Sequence, residues 1–169
     1  FYQSLKPGVD VKKIVSGQDG LQQLNDILSD YQNLDALHVV SHGDDGVIYL
    51  GDTQVTEQLL KEKVETFSAL NNALKENADL LLDGCNVAKT AKGESFLELI
   101  AHQANIDVTA SSNPTGNVTQ SADWNLEVVR GSIEANLPFS SLALKSFSDV
   151  SAITDGSGAT IDLGNFDVV

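Results

Sequence analysis

The chain has 169 residues, 41% of them hydrophobic and 6% aromatic, which suits one globular domain with a buried core. Its 24 acidic residues against 10 basic ones give a net charge of −14, which repels phosphate and argues against nucleic acid or an anionic membrane as partner. No run approaches the roughly 20 apolar residues of a membrane span, so no membrane insertion is expected. Phe1 opens no basic-then-apolar leader, and the chain reads as a processed part of something longer.

Strands and helices alternate along the sequence. Val9 to Val15 reads as a strand, closed by Gly17 and the turn pair Asp19-Gly20. Leu21, Leu24, Ile27, Leu28 and Tyr31 recur at helical spacing and predict an amphipathic helix over 21–31. Leu37 to Ser41 is a strand leading into His42, and Gly43-Asp44-Asp45-Gly46 reads as a flexible loop. Val47 to Thr56 predicts a hairpin around Gly51-Asp52. A long helical region follows from Glu57 to Glu76, broken or bent near Ser68. Leu80 to Leu82 is a strand, Glu94 to Gln103 a helix with Phe96, Leu97, Leu99 and Ile100 on its apolar stripe, and Ile106 to Ala110 and Asn125 to Val129 are strands. Leu142 to Phe147 predicts a short helix. This alternation predicts an α/β fold, a three-layer α/β/α sandwich with a mostly parallel central sheet over 1–147. Residues 148–169, rich in Ser, Gly and Asp, read as an acidic tail or linker to a following module.

Two strand ends carry reactive side chains. LHVVSHG ends in His42-Gly43 and DLLLDGC ends in Cys85. In an open α/β sheet, chemistry gathers at the carboxyl ends of strands. A thiol needs a nearby base to become a nucleophile, and an imidazole can take that proton and return it to a leaving amine. Gly43 and Cys85 would offer backbone N–H groups to a developing oxyanion. The plain alternatives stand beside this: a lone cysteine is commonly a small buried hydrophobe, and a histidine closing a strand can simply bind a backbone carbonyl. Gly84 before the cysteine and Asn86 after it place Cys85 at a rim. His38 shares a strand face with His42 but sits inside the strand, and His102 reads as a surface residue. One cysteine forms no internal disulfide, and neither His38 nor His102 has zinc-ligand spacing with it, so no metal and no cofactor is expected.

Ser111, Ser112 and Asn113 follow a strand and are candidates for lining a pocket at the same rim. Asp44, Asp45, Asp83 and Asp123 would bring negative charge to a cleft and favour a basic residue before the cleaved bond; otherwise they are turn and surface carboxylates. Trp124 reads as a core or edge anchor.

The apolar strand plus His-Gly, paired with a second apolar strand plus cysteine, resembles the caspase-like superfamily (clan CD) of cysteine peptidases. More closely, SHGDDGVIYLG, ADLLLDGCNVAKTAKGESFLELIA, ASSNPTGN and SADWNLE are similar to a bacterial domain family of unknown function. That family is found near the amino terminus of very large surface or secreted proteins with cadherin-like or calcium-binding RTX repeats. The resemblance implies a caspase-like fold with His42 and Cys85 as a dyad. It implies an extracellular or cell-surface location and a polypeptide substrate, either the chain itself or a neighbouring surface protein. A catalytically silent binding module of an adhesin and a structural leader domain are the competing readings. The chain departs from the family pattern at Asp83, where relatives show an aromatic, and at Ser121-Ala122, where glycines are usual. The apolar strand that opens relatives is missing ahead of Phe1. It would be a central strand, so the expectation is that a separately supplied N-terminal strand, or another segment, fills its slot.

Overall fold

The structure is a computed structural model that describes residues 6, 8–117 and 121–138, together with the backbone of Asp167–Val168. In chain order it contains β1 (Lys12–Lys13), α1 (Gly20–Leu28), β2 (Leu34–Val40), β3 (His42–Asp44), β4 (Val47–Leu50), β5 (Thr53–Thr56), α2 (Glu57–Glu62), α3 (Glu65–Ala73), β6 (Leu74–Asp83), α4 (Ala91–Ala104), β7 (Asp107–Ala110), β8 (Val128–Arg130) and β9 (Asp167–Val168). The chain is a mixed α/β protein. The helix expected over 142–147 lies outside the described residues.

Capping sets the helix starts. Asp19 accepts hydrogen bonds from the N–H groups of Leu21 and Gln22, Thr56 from that of Leu59, and Thr90 from that of Lys92. Asn105 closes α4 in the left-handed conformation, φ 53°. The long helical region breaks at Lys63, not near Ser68, and Leu74 already begins β6. Leu70 and Leu74 keep helical spacing across that switch, so periodicity overran the boundary.

The main sheet has the order β1-β9-β2-β6-β7-β8. β2, β6 and β7 run parallel, and β8 closes the far side antiparallel to β7. A bulge in β6 shifts the register between Leu34 and Ala36 of β2, with Asn77 at φ 60°. Asp167–Val168 pairs antiparallel with β1 on one side and meets Val39 of β2 on the other. Two residues of the segment read as a tail or linker therefore pair in the sheet at the position next to β2. Two residues are too few to carry a strand period in the sequence.

The two faces of the sheet differ. Leu37, Val39, Leu80, Leu82, Val108 and Ala110 join the residues of all four helices in one apolar cluster, centred on the fully buried Phe96 and Leu97. Burying each such side chain contributes roughly 1.5–3 kcal/mol. The opposite face carries His38, Asp79, Asp83 and Thr109, all buried. The segment leading into and out of β8 covers part of it. Thr109 Oγ1 donates to the carbonyls of Leu126 and Val128, and Asp79 Oδ2 accepts from the N–H groups of Glu134 and Ala135.

Gly43-Asp44 is not a flexible loop. His42–Asp44 pairs with Val47–Leu50, which pairs in turn with β5, making a separate three-stranded sheet. Only Asp45-Gly46 is left to turn the chain, with Gly46 at φ 71°.

Candidate active site

β2 and β6 are adjacent and parallel, so Val40 and Asp83 end side by side. Their continuations, Ser41-His42-Gly43 and Gly84-Cys85-Asn86, leave the sheet in contact. A Cβ on Gly43 would lie 2.8 Å from the Cys85 carbonyl oxygen and 3.0 Å from its nitrogen, and one on Gly84 would lie 3.2 Å from the Ser41 carbonyl. Only glycine allows the two backbones this approach. Asn86 takes a left-handed φ of 58° and donates its N–H to the Asn113 carbonyl at 2.9 Å. The Cys85 turn is thereby stitched to the loop after β7, and the bond from Ala88 N–H to the Ser111 carbonyl does the same.

Cys85 is completely buried, where a rim position was expected. Its Sγ accepts the Thr115 N–H at 3.0 Å and donates to the Thr115 carbonyl at 3.4 Å, and Thr115 Oγ1 donates to the Gly84 carbonyl. Burial pushes the thiol pKa up to about 11, against the opposing pull of the Thr115 N–H. The resting thiol is therefore protonated and held by backbone. His42 is half-buried, and its Nδ1 is buried with no hydrogen-bond partner among the described residues.

Asp83 lines no cleft. It is completely buried, and its Oδ2 lies 3.1 Å from His38 Nδ1, so His38 serves this pair and not the candidate dyad. Burial raises the Asp83 pKa, with the His38 hydrogen bond and charge pulling the other way. Ser41 interrupts the strand between the two histidines, so His38 belongs to the main sheet and His42 to the small one.

The other expected site residues divide into two groups. Ser111, Ser112 and Asn113 gather around the Glu127 carboxylate, which accepts from Ser112 N–H at 2.8 Å, Ser112 Oγ at 3.1 Å, Ser111 Oγ at 3.3 Å and Asn113 Nδ2 at 2.9 Å. Burial acts to raise the Glu127 pKa, but these hydrogen bonds outweigh it and the net shift is downward. Asp123 joins through Asn113 Nδ2 and holds the 114–116 turn through its backbone. Asp44 stays exposed and caps its own turn at Asp45 N–H. Asp45 ties the hairpin to the start of α4, accepting from Thr90 N–H, Thr90 Oγ1 and Gly93 N–H. Trp124 is buried and His102 exposed. Thr115 and Glu127 escaped the sequence reading, because they act through folding partners 30 and 14–16 residues away.

The family described as a domain of unknown function, DUF4347, matches residues 1–151. The chain belongs to the DUF4347 family. No curated protein and no solved structure shows significant similarity to it. The match takes in every residue of the site, so the thiol, the imidazole and the Glu127 network are all parts of the DUF4347 domain. No helix among the described residues is long and apolar enough to cross a membrane.

Proposed function

We propose that this DUF4347 domain is a caspase-like cysteine endopeptidase, with Cys85 as nucleophile and His42 as general base, held latent in the resting state. The observation that carries this reading is the contact of Gly43 with the Cys85 backbone, which brings the two reactive residues to neighbouring strand ends. The parallel β2-β6-β7 core fits a three-layer caspase-like sandwich. In this reading the domain acts on its own polypeptide or a neighbouring surface protein, as part of a large bacterial surface or secreted protein. Resemblance and net charge support that location, and the same reading needs the slot of the family's opening strand filled, by a separately supplied strand or by another segment, as Asp167–Val168 does where it meets β2.

Turnover requires the thiol to leave Thr115 and lose its proton to His42. The Cys85 and Gly43 N–H groups would then face the oxyanion. The test is labelling of Cys85 by a peptide-linked electrophile in the full chain. Labelling lost in His42→Ala, with unchanged thermal stability, supports the dyad. Labelling that is equal in both proteins, at the rate of an ordinary thiol, rejects it.

The second reading is a catalytically silent adhesin module. It is favoured by the complete burial of Cys85 and a thiol pKa near 11. Absence of self-cleavage and of labelling under every condition that keeps the fold intact would select it.

A further inference from the structure

Midway along β6 and at the start of β7, well away from Cys85, three carboxylates converge. Asp79 and Asp107 are direct partners in the parallel register, and Glu134 returns over them from the segment after β8. Gly131 makes that return possible. At φ 97°, its absent Cβ would fall 1.7 Å from Asp107 Oδ1, so only a glycine lets the chain pass over the carboxylate. One ligand oxygen from each of the three lies within 4.8 Å of the others, a spacing that a single ion at 2.3–2.6 Å from each oxygen would span.

Convergence alone would mean only an acidic patch. The deciding feature is Asp79. It is 2% exposed, and while Oδ2 accepts the N–H groups of Glu134 and Ala135, Oδ1 is buried with no hydrogen-bond partner among the described residues. A buried carboxylate oxygen without a partner costs several kcal/mol or more unless a proton or cation meets it. Nearby Arg130 is engaged by Glu94 and Glu98.

We propose that Asp79, Asp107 and Glu134 bind a hard divalent cation of the calcium or magnesium type. All three ligands are carboxylate oxygens, which suits such ions over zinc or copper. The ion neutralises the cluster and clamps the segment after β8 onto the middle of β6 and the first residue of β7. Asp79 lies four residues before Asp83, about 13 Å along the strand, so the site is structural and independent of the thiol chemistry.

The experiment uses the full chain stripped with EDTA, titrated calorimetrically with CaCl2 alone and separately with MgCl2 alone. One saturable site and a rise in Tm of several degrees are expected with at least one ion. Glu134→Gln and Asp107→Asn should each weaken binding by roughly tenfold. Asp79→Asn is left as a secondary variant because the residue is buried, whereas Glu134 is exposed and its substitution leaves the fold intact. Asp30→Asn, an exposed carboxylate elsewhere, should bind as wild type does. The proposal is overturned if neither ion gives saturable binding, if the Asp107→Asn/Glu134→Gln double variant binds unchanged, or if Asp30→Asn loses as much affinity as the site variants.

Discussion

Asp79 and Asp83 sit on the same face of β6, four residues apart, and both are removed from water. Asp79 is held by two backbone N–H groups from a returning segment, Asp83 by one imidazole from the neighbouring strand. Each keeps one buried oxygen without a hydrogen-bond partner among the described residues. Between them, Leu80 and Leu82 point to the other face and into the apolar cluster. One face of this strand is thus hydrocarbon and drives folding, while the other stores polar groups midway along it and at its end. The cost of burying those groups is met differently at each place: three carboxylates converge midway, at Asp79, and a histidine-carboxylate pair stands beside the thiol turn at the finish.

The largest effect should come from the apolar face. Phe96→Ala should lose about 4 kcal/mol in urea denaturation, because a completely buried ring leaves a cavity. A loss under 1 kcal/mol would mean that this face is not the folding core. On the polar face, His38→Leu should cost about 3 kcal/mol at pH 7, since it strands a buried carboxylate, and the His38→Leu/Asp83→Leu double variant should recover most of it. Failure of the double variant to recover would show that the pair is held by something other than its two members.

The same pair makes a pH prediction. The folded-state pKa of Asp83 is raised, so its contribution to stability is fully present below the unfolded value, about 3.9, and is lost as pH rises through the folded pKa. Asp83→Asn should therefore gain stability relative to wild type as pH increases above about 4. A Tm difference that is flat with pH would refute this. For the thiol, the alkylation rate of the native protein should rise with a midpoint near pH 11, set by burial, and stay low at neutral pH. A midpoint near 8.5 would mean that the thiol is open to water. The smallest effect is expected at Glu127→Gln, about 1 kcal/mol after allowing for its exposure, with faster Cys85 alkylation as the 111–113 loop loosens.

Much of this was legible from residue order. Hydrophobic period located α1, α4, β7 and the β4-β5 hairpin to within a few residues, and the apolar runs before His42-Gly43 and Cys85 marked two strands that prove to be neighbours. These features are local: spacing, caps and turn residues act within a few positions of the chain. The exposure of Cys85 was not legible. Gly84 and Asn86 rightly indicate that the strand ends there, but whether a strand end meets solvent depends on what packs over it. Here that is Thr115, 30 residues on.

What the sequence by itself determined is therefore the alternation of strands and helices, the apolar face of the sheet, and the presence of one thiol and one imidazole at strand ends. What only the tertiary structure decided is the company those groups keep: Thr115 around the thiol, His38 beside Asp83, Glu127 among Ser111, Ser112 and Asn113, and Glu134 over Asp79 and Asp107. The physical reason is that burial and hydrogen bonding of polar side chains are set by distant segments converging. Period and composition record which face of an element turns inward, but not which partner waits there.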